Sequence, residues 1–80
     1  MTIHFYGKLA DAFGRSIDLD LAEACSVAEL RERLSHDYPD AAEMLSSGKL
    51  RACVDNAIVP ADALVNPAET VEFLPPVSGG

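Results

Sequence analysis

The residues best suited to chemistry are the last six, Pro75-Pro76-Val77-Ser78-Gly79-Gly80. With glycine at about 7% of residues, two final glycines arise by chance in roughly one chain in 200. The pair alone is therefore a weak signal, and its position directly after a strand and two prolines strengthens it. Pro75 and Pro76 have fixed φ and favour an extended path away from the body of the protein. Val77 and Ser78 give a partner groove something to grip. Gly79 and Gly80 carry no side chain, so their backbone fits a narrow channel and adopts dihedrals closed to other residues. Six residues reach at most about 20 Å. The group delivered at the end is expected to be the free carboxylate of Gly80. A carboxylate is a poor electrophile at neutral pH and must be activated before acyl transfer, usually as an acyl-adenylate made from ATP. The chain has no G-x-x-x-x-G-K-[ST] loop to cradle a nucleotide. Activation is expected from a partner enzyme that uses ATP, and this chain is expected to bind no cofactor itself. A frayed, idle terminus is the alternative reading of the same residues.

Other chemistry-bearing side chains are sparse. His4 and His36 have no ligand partner at i+3 or i+4, so they read as surface histidines and no metal site is expected. Cys25 and Cys53 are too few and too far apart for a disulfide framework or a zinc site. Neither has a basic neighbour in sequence to lower its pKa, so both read as small apolar packing residues. Met44 and Leu45 read as core or edge packing, and Asp18, Asp20 and Glu23 as a solvated face. No nucleophile–base pair is visible, and catalysis by the chain alone is not expected.

The elements that must position the tail follow from periodicity. Thr2 to Tyr6 reads as a strand with Ile3 and Phe5 on one face. Gly7 to Gly14 is a connection with a helical turn through Leu9–Phe13. Ser16 to Leu21 alternates with period two, Ile17, Leu19 and Leu21 inward, and predicts a second, half-buried strand. Ser26-Val27-Ala28-Glu29 is a capping-box pattern, after which Val27, Leu30 and Leu34 recur at helical spacing. Glu29 stands four residues before Arg33, a favourable helical pair. Tyr38-Pro39 closes that helix. A shorter helical piece through Ala41, Ala42, Met44 and Leu45 runs out at Ser46-Ser47-Gly48. Leu50 to Val54 predicts the next strand, Asp55-Asn56 a turn, Ile58-Val59 a short strand, Asn66-Pro67-Ala68-Glu69 another turn, and Thr70 to Leu74 the last strand. This order predicts a two-layer α+β domain over residues 1–80, a mixed sheet of four to five strands with one main helix across one face. It is the order of the β-grasp, or ubiquitin-like, fold, in which the first and last strands lie side by side at the centre.

Composition excludes several function classes. The 80 residues carry thirteen acids against six bases, a net charge of −7. Nucleic acid binding needs a basic footprint, and an anionic membrane surface repels an acidic protein, so neither partner is expected. A basic protein partner is compatible with that charge. No secretory signal and no apolar run of about 20 residues is visible, so a cytoplasmic location is expected.

Over essentially its whole length the chain resembles the small, sulfur-carrier subunit of molybdopterin synthase, a ubiquitin-like family. Phe73-Leu74-Pro75-Pro76-Val77-Ser78-Gly79-Gly80 is similar to that family's C-terminal signature. His4-Phe5-Tyr6-Gly7-Lys8-Leu9-Ala10-Asp11, Ser26-Val27-Ala28-Glu29-Leu30 and Gly48-Lys49-Leu50-Arg51-Ala52-Cys53-Val54-Asp55 are similar to its first strand, helix start and third strand. The resemblance implies a cycle. A ubiquitin-activating-type adenylyltransferase adenylates the Gly80 carboxylate. Sulfur from a persulfide donor protein then converts it to a thiocarboxylate. The tail, Pro75 to Gly79, inserts into the large catalytic subunit, where sulfur passes to cyclic pyranopterin monophosphate to build the dithiolene of molybdopterin. The family assembles two small subunits on a large-subunit dimer, a heterotetramer, and docks through positions corresponding to Tyr6, Leu74 and Ile58. Those three side chains are expected on the outer face of the sheet if Ile3, Phe5, Val71 and Phe73 face the helix. Three alternatives stay open: the sulfur carrier for thiamine thiazole synthesis, which shares the fold and the Gly-Gly end; a modifier conjugated to a target lysine through Gly80; and a ubiquitin-like interaction module with an idle tail. The Pro-Pro-Val-Ser before the glycines favours molybdopterin.

Overall fold

Alternation along three strands builds the centre of the protein, in a computed structural model that describes residues 1–75. Strand β1 (Thr2–Phe5) turns Ile3 and Phe5 inward. Helix α1 (Lys8–Phe13) and strand β2 (Ser16–Asp18) follow, and then a two-residue strand β3 (Cys25–Ser26). Helix α2 (Val27–Asp37) leads through a 3-10 turn (Pro39–Ala41) into helix α3 (Ala42–Leu45). Strands β4 (Arg51–Val54) and β5 (Ala57–Val59) form a hairpin, β6 (Leu64–Val65) is another two-residue strand, and β7 (Thr70–Leu74) ends the fold.

The five-stranded sheet runs β2-β1-β7-β4-β5, with β3 and β6 paired separately. Its centre joins the two sequence extremes in parallel, Ile3 opposite Val71 and Phe5 opposite Phe73. The neighbouring pairs are antiparallel, so the sheet is mixed. Ile3, Val71 and Phe73 are fully buried on the face toward α2, where they meet Leu30 and Leu34. Each such side chain removed from water contributes about 1.5–3 kcal/mol, the main term in so small a domain. The Phe5 ring stacks on Phe13 at 4.3 Å between centroids, and Phe13 meets Tyr38 edge-on at 4.6 Å, closing the core below α1.

Helix α2 starts where the sequence places it. Ser26 Oγ accepts from the Glu29 amide at 3.1 Å, and Glu29 Oε1 accepts from the Ser26 amide at 2.9 Å, a complete capping box. That engagement corrects the expected Glu29–Arg33 pair: the Glu29 carboxylate is turned back to the cap. Arg33 instead lies 3.9 Å from Asp37 and donates to the Asp20 carbonyl at 3.0 Å. The second strand is also shorter than expected and stops at Asp18. Its ladder continues only as far as Met1, whose backbone exchanges hydrogen bonds with Leu19 in both directions. Beyond that the chain bends toward α2, although Leu19 still packs inward. Asp55 and Asn56 take φ of 53° and 65°, the left-handed pair of a two-residue hairpin turn.

Candidate functional site

The site expected from the sequence begins where β7 ends. Strand β7 lies in the middle of the sheet, flanked by β1 and β4: Phe73 is opposite Phe5 on β1, and the last residue, Leu74, is opposite Arg51 on β4. Continuing the parallel register two steps past Phe5–Phe73 sets Gly7 beside Pro75, and the two are in contact. Pro75, the first residue of the expected tail, is half-buried. The remaining residues, Pro76, Val77, Ser78, Gly79 and Gly80, lie outside the described residues.

The sheet face turned away from α2 carries one row of side chains across all five strands: Ser16, His4, Glu72, Cys53 and Ile58. The next row, toward the tail, contains Tyr6, Leu74 and Arg51. The three expected docking residues thus share this face. Tyr6 and Leu74 are neighbours at the root of the tail, and Ile58 stands on the edge strand one row back. Ile58 is 64% exposed and Tyr6 43%, whereas Leu74 is half-buried. Leu64 and Tyr38, the other large exposed apolar residues described, lie on β6 and beyond the end of α2.

Charge on this face is tied to the aromatic. The Tyr6 hydroxyl donates to Glu72 Oε2 at 2.6 Å. That bond and the neighbouring carboxylate hold the phenol above its ordinary pKa, because ionisation would lose the donor and set two negative charges together. Sequence reasoning gave Glu72 and Gly7 no role. Glu72 was findable as the outward residue between Val71 and Phe73; Gly7 shows only as a glycine between strand and helix.

The thiols set aside by sequence are placed consistently with packing. Cys53 is buried although it points to the outer face. Cys25 is half-buried, and burial, together with the Glu29 carboxylate, pushes its thiol up; Arg33 opposes this only in part. A raised thiol pKa means less thiolate and a poorer nucleophile. His36 is exposed, whereas His4 is half-buried within its sheet row and so less solvated than expected. Among the described residues no three His, Cys, Asp or Glu side chains gather as metal ligands, and no helix is long and apolar enough to cross a membrane.

A mixed five-stranded sheet with parallel first and last strands at its centre and one main helix across one face defines a β-grasp, ubiquitin-like protein. Solved structures share that fold. The crystal structure of SAMP1 from Haloferax volcanii superimposes with a TM-score of 0.81 at 16% identity, over 99% of this chain and 97% of that one. A second crystal structure, of H. volcanii small archaeal modifier protein 1, gives 0.80 at 13% identity, over 95% of each chain. A Pyrococcus furiosus protein provisionally named molybdopterin converting factor, subunit 1, gives 0.78 at 17% identity, also over 95% of each. The ThiS family model matches residues 3–80, and the chain belongs to the ThiS family. It is therefore a ubiquitin-like protein of the ThiS family.

Proposed function

We propose that this chain is the sulfur-carrier subunit of a cytoplasmic molybdopterin synthase and that its reactive group is the carboxylate of Gly80. The observation that supports this most is the continuity between the sequence Pro75-Pro76-Val77-Ser78-Gly79-Gly80 and the central strand β7. The strand that precedes this segment is flanked on both sides, by β1 and β4, next to the exposed face that bears Tyr6 and Leu74.

In this reading a Gly80 carboxylate oxygen attacks the α-phosphorus of ATP on the activating enzyme, and pyrophosphate leaves. The terminal sulfur of a donor persulfide attacks the acyl carbon, and AMP leaves. A thiol cleaves the resulting sulfur–sulfur bond, leaving a thiocarboxylate on Gly80 and a disulfide on the donor. The tail then enters the large subunit, which supplies the catalytic side chains and transfers sulfur to cyclic pyranopterin monophosphate. The small chain contributes a docking face at Tyr6, Ile58 and Leu74 and an acyl group on a tether.

Co-expression with the activating enzyme and its sulfur donor is expected to exchange one terminal oxygen for sulfur, visible by intact-mass spectrometry. Deleting Gly80 is expected to abolish the exchange, and an exchange that survives the deletion contradicts the proposal. The family model's name favours a second reading, sulfur delivery to thiamine thiazole, and the archaeal modifier structures favour a third, conjugation to lysine. Rescue of a molybdopterin-deficient strain but not of a thiamine auxotroph separates the first two. Adducts that resist reducing agent mark the third.

A further inference from the structure

Gly7 is in an unusual position. Its φ of 59° and ψ of −136° lie in a region that L side chains rarely adopt, and it caps α1 through a hydrogen bond from the Ala10 amide. A Cβ built on it would sit 2.9 Å from Pro75 Cγ, closer than such atoms approach. Gly14 provides a natural comparison: its φ is 86°, equally closed to side chains, but a Cβ there meets nothing within 4 Å. Of these two strained glycines, only Gly7 is filled by the residue from which the tail starts.

We propose that Gly7 is a positioning residue for acyl activation: its bare backbone seats the Pro75 ring against β1 and so fixes the point from which residues 76–80 depart toward the partner's active site. The proposal rests on the reading that Gly80 is charged by an activating enzyme. A side chain at position 7 displaces Pro75 and misdirects the tether while leaving the docking face in place. Its effect falls on turnover rather than on encounter, and misplacing a reacting group by about 1 Å is worth on the order of 100-fold.

The experiment has a structural arm and a kinetic arm. In the wild-type protein, nuclear Overhauser contacts between the Gly7 α-protons and the Pro75 ring protons are expected, and their absence overturns the proposal whatever the protein carries. In ATP–pyrophosphate exchange with an activating enzyme that charges the wild type, Gly7→Ala is expected to lower kcat roughly tenfold to 100-fold with KM changed less than about twofold. Gly14→Ala, which adds similar strain without touching the tail, is expected to keep both constants near wild type below its melting temperature. Pro75→Ala alone lowers kcat severalfold at unchanged KM. Adding it to Gly7→Ala returns kcat to the Pro75→Ala level, because the clashing ring is gone. Equal kcat for Gly7→Ala and Gly14→Ala contradicts the proposal, as does failure of the double variant to recover. If Gly7→Ala does not fold, Pro75→Ala decides, since an unchanged kcat there removes any role for the contact. A wild type that no activating enzyme charges refutes the proposed function instead and leaves the structural arm to stand or fall by itself.

Discussion

The Tyr6 hydroxyl and the Glu72 carboxylate, 66 residues apart in sequence, are joined by a 2.6 Å hydrogen bond across the central parallel pair of strands. The bond ties the residue that follows β1 to the strand from which the tail leaves, and it holds the Tyr6 ring on the face that also carries Leu74. It links the two sequence extremes at the place where the proposed docking face meets the tail.

The bond has a pH signature. The folded-state pKa of Tyr6 is raised above the ordinary phenol value of about 10. A group raised on folding contributes stability that is fully present below its unfolded value and is lost as pH rises through the folded one. Ultraviolet titration is expected to find Tyr6 ionising above pH 10, with Glu72→Gln lowering it toward the ordinary value. An unchanged Tyr6 titration in that variant would show that Glu72 is not the cause.

The capping box on α2 gives a second expectation. Removing the Ser26 hydroxyl leaves the Glu29 amide without its cap, and Ser26→Ala is expected to cost about 1 kcal/mol in denaturant unfolding. Glu29 is held below its ordinary pKa by the hydrogen bonds from Ser26. Its contribution is present above the unfolded carboxylate value and is lost as pH falls through the depressed folded one. The stability difference between wild type and Glu29→Gln is therefore expected to shrink as the solution is acidified below about pH 4.

Core and turn differ in sign. Phe73 is fully buried between β1 and β4, and Phe73→Ala is expected to cost about 3–5 kcal/mol. Against a total of roughly 4–12 kcal/mol for a chain of this length, that removes a large share of the stability. Asn56, at φ 65°, occupies a conformation in which glycine is favoured. Asn56→Gly is expected to raise stability by up to about 1 kcal/mol, and Asn56→Val to lower it by about 1–2 kcal/mol. Chemical denaturation measures all three.

Ile58 separates docking from folding. With 64% of its surface exposed on an edge strand, Ile58→Asp is expected to change stability by less than about 0.5 kcal/mol. Calorimetric binding to the large subunit is expected to weaken more than about tenfold. Unchanged binding would remove Ile58 from the docking face.

The elements with strict periodicity were legible in sequence because burial alone determines them. Thr70–Leu74 alternates as read, and Val27, Leu30 and Leu34 form the buried stripe of α2. What was missed depends on partners distant in sequence. The two-residue strands Cys25–Ser26 and Leu64–Val65 exist only because they pair with each other, across a separation no local pattern records. Ser16–Leu21 alternates throughout, yet its ladder gives out after Leu19 and Arg33 takes the Asp20 carbonyl instead. Helix α1, read as a single turn, is a six-residue helix whose Leu9 is buried under the sheet end. In the candidate site, the shared face of Tyr6, Leu74 and Ile58 followed from alternation. The Tyr6–Glu72 bond and the Gly7–Pro75 contact needed the parallel register, which sequence does not print.

The most direct measurement is top-down mass spectrometry of the protein isolated from its own cells. The expected result is a population ending at Gly80 with one sulfur in place of oxygen, the substitution localised by fragmentation to the terminal glycine. A population that carries the sulfur on Cys25 or Cys53, or that never carries it while the molybdenum cofactor is being made, would contradict the account.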